Sequence, residues 1–122
     1  MQPGSEAYEK ALVLDRSAAN LNNYAWDLAT HDTNLEYALA LTQESNELQT
    51  LEPTYLDTWA WVLYKLGRYD EAREKIRVAL QLLRTAPDAV MYRHAAAIEE
   101  AAGNSVQAKE YRNKAKALNG AK

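Results

Sequence analysis

Residue types that perform chemistry are sparse in this chain and poorly spaced for it. Its 122 residues include two His, four Gly and no Cys, which excludes thiolate nucleophiles, disulfides and cysteine metal sites. His31 and His94 are 63 positions apart, and neither belongs to a paired His/Glu spacing that sets two ligands on one helical face. Both read as ordinary surface or groove histidines. Asp70-Glu71 and Glu99-Glu100 are adjacent carboxylates. Neighbouring helical positions point in different directions, so these read as solvated faces rather than an acid/base couple. Gly4, Gly67, Gly103 and Gly120 never cluster, so no loop is built to cradle a phosphate. The chain therefore reads as non-catalytic, with no cofactor and no metal site.

The elements that carry these residues are helical. Ala (22), Leu (16), Glu (11), Lys (7) and Arg (7) fill 63 positions, whereas β-branched Val and Ile supply seven, a composition that excludes an all-β fold. At 48% hydrophobic residues a chain of this size makes one domain with its own core. No apolar run approaches the ~20 residues of a membrane span, and the opening residues Met1 to Ser5 lack the pattern of a signal peptide. Compartment stays open. Charge is polarised along the chain. Residues 1–52 hold two basic and nine acidic residues, a balance of −7, while residues 53–122 hold twelve basic and eight acidic, a balance of +4. The acidic half disfavours nucleic acid and suits a partner with a basic segment.

Helical repeats betray themselves by a fixed period. Ala11, Ser45 and Ala79 recur every 34 residues, as do Leu14, Leu48 and Leu82, and Tyr24-Ala25-Trp26 matches Trp59-Ala60-Trp61 at a spacing of 35. Leu56, Trp59, Ala60 and Leu63 fall at i, i+3, i+4 and i+7, the stripe of an amphipathic helix. Gly67 supplies the left-handed cap that ends it, and Ala72, Ile76, Ala79, Leu80 and Leu83 mark the inner face of the next. Pro53 and Pro87 stand where helices begin. The spacing predicts seven helices near 5–15, 19–31, 34–50, 54–66, 69–84, 88–102 and 105–118, joined by short turns and therefore antiparallel to their neighbours.

With Leu56, Trp59, Ala60, Leu63, Gly67, Tyr69, Ala72, Ile76 and Ala79 at its large and small packing positions, the chain resembles the tetratricopeptide repeat family. Leu21-Asn22-Asn23-Tyr24-Ala25-Trp26 gives it the look of bacterial members. The resemblance implies an all-α, right-handed α-solenoid of antiparallel helix pairs: a half repeat at 5–16, then repeats at 19–52, 53–84 and 88–118. Residues 1–4 and 119–122 are expected to be flexible ends. Glu99 falls at or beside a core position, which leaves the register of its helix open by one residue. The leading half repeat lacks its first helix, so the chain reads as a piece of a longer array unless that helix is absent in nature.

In such arrays the first helix of each unit lines a concave groove. The resemblance thereby implies a peptide-binding surface of Asn22, Asn23 and Trp26, then Asp57, Thr58, Trp61, Tyr64 and Lys65, then Arg93 and His94, with the two equivalent indoles as neighbours. The family's carboxylate clamp is not matched, because its positions hold Asn22, Trp26, Thr58, Val90 and His94 and so neither Lys nor Arg. Trp61 and Tyr64 have a plainer alternative, packing between successive helices. The reading is a non-catalytic scaffold for a protein or peptide partner, without membrane insertion. Two alternatives stay open: a regulatory or targeting segment of a larger enzyme or envelope protein, and a self-assembly module using the apolar side of Tyr8, Leu12 and Leu14.

Overall fold

The computed structural model describes residues 5–120; the expected flexibility of residues 1–4 and 121–122 lies outside them. Seven helices follow one another among the described residues: α1 (Ser5–Leu14), α2 (Ala18–Thr30), α3 (Leu35–Leu48), α4 (Pro53–Lys65), α5 (Tyr69–Leu82), α6 (Ala89–Ala101) and α7 (Ser105–Gly120). Each boundary has a local cause. Ser17 Oγ accepts from the Asn20 amide at 3.1 Å and Asp88 Oδ1 from the Met91 amide at 3.0 Å, which satisfies first-turn donors of α2 and α6. Pro53 occupies the first turn of α4 behind the Glu52 cap. Gly67 (φ +79°) and Gly103 (φ +88°) follow α4 and α6 in the left-handed conformation. The turn between α2 and α3 uses Asp32 (φ 52°) and Asn34 (φ 47°) instead, residue types that tolerate this region. Helix α7 runs on to Gly120, so Asn119 and Gly120 are helical rather than part of a loose end.

Helices pair in sequence, α2 with α3, α4 with α5 and α6 with α7, and each pair packs on the next through α3–α4 and α5–α6. The first helices also touch one another, α2 with α4 and α4 with α6, whereas α3, α5 and α7 make no such contacts among the described residues. An array whose first helices sit closer than its second helices curves with the first helices inside. Small residues permit the approach: Ala25, Ala60, Ala72 and Ala79 are fully buried, and Leu21, Leu28, Leu41, Leu63, Ile76 and Ile98 interdigitate around them. Burying one such aliphatic side chain contributes about 1.5–3 kcal/mol. In α7 only Ala108 and Ala115 are fully buried, with Tyr111 and Leu118 half-buried, so its outer face stays polar.

Helix α1 behaves as the second helix of a unit. Tyr37 Oη donates to Glu9 Oε2 at 2.9 Å and Arg16 Nη2 to Glu44 Oε1 at 2.8 Å, both across 28 residues, so α1 and α3 run parallel. Leu12 is buried and Tyr8 half-buried, but Leu14 is 87% exposed and Val13 85%.

Glu99 corrects an expectation. It is fully buried rather than solvated: Oε1 accepts from Arg73 Nε at 2.7 Å and from Asn104 Nδ2 at 2.8 Å, and Arg77 Nη2 lies 3.7 Å from Oε2. Its neighbour Glu100 does reach solvent and pairs with Arg112 at 2.8 Å. Among the described residues no helix is long and apolar enough to cross a membrane.

Candidate functional site

The inner faces of α2, α4 and α6 enclose a cleft of about 440 Å³, lined by Asn22, Asn23 and Trp26, by Thr54, Asp57 and Thr58, and by Val90 and His94, with Tyr8 of α1 at its end. Its centre is an ion-pair geometry between successive first helices. His94 Nδ1 stands 2.9 Å from Asp57 Oδ1 and 3.2 Å from Oδ2, and both side chains are largely withdrawn from solvent. A carboxylate only accepts, so Nδ1 carries the proton and Nε2 is left as the imidazole's other polar atom. The ring is held from both sides, its centroid 4.5 Å from that of Trp61 and 5.5 Å from that of Trp26. The two indoles thus do not meet directly as expected; His94 packs against each.

Beyond Trp61 the aromatic row continues through Tyr64 (4.6 Å, 24° between planes) to Tyr69 (6.0 Å). Trp61 and Tyr64 are both half-buried in it, which is the packing alternative. Trp26, 37% exposed, is the indole that faces outward. Asn22 is buried at the cleft wall while Asn23 is exposed. Thr58 turns its hydroxyl to the Thr54 carbonyl at 3.2 Å, a back-bond within its own helix. Lys65 sits 3.0 Å from Asp32 Oδ1 and 5.7 Å from the Trp61 ring centroid. Arg93 lies elsewhere, in a separate cleft of about 350 Å³ between α6 and α7. Of ten expected groove residues, the structure gathers six around the cleft, puts Trp61, Tyr64 and Lys65 beside it, and separates Arg93. Thr54 joins them without having been named, together with Tyr8, expected on a self-association face, and Val90, expected only as an unmatched clamp position. Thr54 is one turn before Thr58 on the same face, a spacing that pointed to it.

A larger cleft of about 730 Å³ opens on the outer side between α1 and α3. Its floor is Tyr24, 3% exposed, stacked on Tyr8 at 5.1 Å and met edge-on by Tyr37 at 5.6 Å. Burial, with Glu9 beside the hydroxyl, pushes the Tyr24 phenol up to about 12.

No family model and no curated protein matches the sequence. Among solved structures the chain is similar to MamA of AMB-1, a tetratricopeptide-repeat-containing protein, with a TM-score of 0.78 and 21% identity, covering 98% of this chain and 69% of that one. At that identity the likeness speaks for the fold, which is a tetratricopeptide-like right-handed α-solenoid of antiparallel helix pairs.

Proposed function

We propose that this solenoid is a non-catalytic interaction scaffold and that the cleft across α2, α4 and α6 receives a peptide or protein segment with an aromatic or large apolar anchor and a basic flank. The observation that carries the reading is the outward-facing Trp26 beside an imidazole already fixed by Asp57 and Trp61. An indole left in water at the wall of a cleft gains by being covered, and buried Trp anchors dominate peptide interfaces. The fixed His94 adds little ordering cost when a ligand docks. The basic flank follows from the lining, which among the described residues includes Asp57 but no Lys or Arg; Lys65 is engaged by Asp32, and Arg93 faces away. The acidic balance of residues 1–52 extends the same preference.

Selection of a random peptide library on the intact chain tests this. Enriched peptides should carry an aromatic residue flanked by Lys or Arg, and Trp26→Ala should weaken them about tenfold or more, as expected of an interface anchor. Lys109→Ala, on the exposed face of α7, should leave them unchanged. Trp26 is a cleaner probe than Trp61, whose removal would also disturb the row through Tyr64. Peptides that bind Trp26→Ala as tightly as the parent would remove the assignment. A second reading, self-association at the end of α1, is favoured by the exposed pair Val13 and Leu14. In that case dimerisation seen by light scattering should vanish in Val13→Ser/Leu14→Ser.

A further inference from the structure

We infer that the channel between α5 and α7, on the outer face, is a second binding site, for a short acidic peptide segment. This does not depend on the reading of the inner cleft. The channel exists because α5 and α7 both pack on α6 while their backbones stay apart, meeting only through side chains such as Arg77 beside the Tyr111 hydroxyl. It encloses about 490 Å³. Its floor is aromatic, Tyr92 of α6 and Tyr111 of α7 with centroids 5.8 Å apart. Its rim is cationic: Arg77 from α5, Arg84 from the turn that follows α5, and Lys114 from α7.

Three features make that rim available to an anion. No carboxylate lines the channel among the described residues. Arg84 and Lys114 form no ion pair among those residues: Arg84 Nη1 donates only to the Gln81 carbonyl at 3.1 Å, and Lys114 Nζ lies 5.7 Å from the Tyr92 ring centroid. Arg77, half exposed, is 3.7 Å from Glu99 Oε2, an oxygen with no hydrogen-bond partner, while Arg73 already pairs with the other oxygen at 2.7 Å. The guanidinium of Arg77 is therefore positioned by Glu99 without being saturated by it.

Charge and the aromatic floor select the occupant. Arg77 lies within α5 and Arg84 in the turn that follows it, so two guanidiniums border the channel at separate points. The fitting segment thus carries two carboxylates for the cationic rim, with an apolar residue between them to cover Tyr92 and Tyr111. A long polyanion such as nucleic acid fits poorly, because the other half of the chain carries −7.

The test is an amide-shift NMR titration of the intact chain with the peptide Gly-Ser-Glu-Leu-Ala-Glu-Ser-Gly, capped at both ends. Saturable shifts should concentrate in α5 and α7 and weaken as salt rises. Arg84→Glu/Lys114→Glu should reduce affinity at least tenfold, and Arg84→Gln/Lys114→Gln by less, with helicity by circular dichroism unchanged because neither exposed side chain holds an ion pair among the described residues. Trp26→Ala should bind like the parent, which separates this site from the inner cleft. The inference is overturned if the double reversal or a Gln-for-Glu peptide binds equally well, or if shifts appear only around Trp26 and His94. Tighter binding of oligo-dT, or a second copy of the chain occupying the channel in light scattering, would overturn it too.

Discussion

Removing the Glu99 carboxylate should destabilise this solenoid more than any surface change. Glu99→Ala strands two donors that now meet Oε1, Arg73 Nε at 2.7 Å and Asn104 Nδ2 at 2.8 Å. Breaking a buried pair from one side costs about 3–5 kcal/mol. Arg73 retains some solvent access and can turn outward, which places the expected loss near the lower end, roughly 3–4 kcal/mol. An unfolding entropy of roughly 2.1 cal/mol/K per residue gives about 0.26 kcal/mol/K for a chain of this length, so the melting temperature should fall by roughly 12–15 °C. Glu99→Gln keeps Oε1 as an acceptor but sets an amide donor towards Arg77, for a smaller loss of about 1–2 kcal/mol. Arg73→Met/Glu99→Met should recover most of the stability, because an apolar pair of similar volume avoids desolvating two charges. Urea and thermal melts followed by circular dichroism provide the numbers, and the double-mutant cycle isolates the coupling. Since Glu99 ties α6 to α5, amide exchange in α6 and α7 should accelerate before exchange in α2 and α3. A Glu99→Ala protein within about 0.5 kcal/mol of the parent, or a cycle with no coupling energy, would refute the reasoning.

Two further predictions concern the core. Ala60 is fully buried where α4 meets its neighbours, so Ala60→Leu should cost about 1–3 kcal/mol in a urea melt, whereas Gln81→Leu, on the exposed side of α5, should stay within about 0.5 kcal/mol; equal tolerance would refute the assigned contacts. The Tyr24 phenol is raised to about 12 from the ordinary 10, so the folded state holds that proton more tightly than the unfolded one. Its contribution is complete below pH 10 and is lost as pH rises towards 12, and Tyr24→Phe should flatten the fall in stability across that interval.

The period of 34 residues made the helices and their pairing legible, because small residues at fixed intervals are what close helix packing requires. Glu99 was not legible in the same way. A glutamate in a helical pattern reads as solvent-facing, and the groups that compensate its burial, Arg73 and Arg77, come from the preceding pair, more than twenty positions away. The same helix shows why the cleft was only partly read. Adjacent helical residues are rotated by about 100°, so His94 and Arg93 do not share a direction; a one-residue doubt in register leaves open which of them faces inward. The structure brings His94 in, against Asp57, and leaves Arg93 beside α7. Lys65 shows a different limit: its partner Asp32 comes from the preceding inter-helix turn, whose left-handed residues no periodic pattern describes.

The way α1 is fastened has a mechanical consequence. Its backbone neighbour is α2, while its own link to α3 is the side-chain contact of Tyr37 with Glu9, Arg16 meeting Glu44 only past its end, and its last turn leaves Val13 and Leu14 in water. Tension applied at this end meets little resistance, since peeling α1 away sacrifices Leu12, the Tyr8–Tyr24 stack and the exposed Tyr37–Glu9 contact. The pairs behind it are clamped by continuous helix-to-helix packing and yield later. Under load the molecule therefore releases one short helix first and keeps its remaining array intact, a built-in fuse rather than a uniform rod.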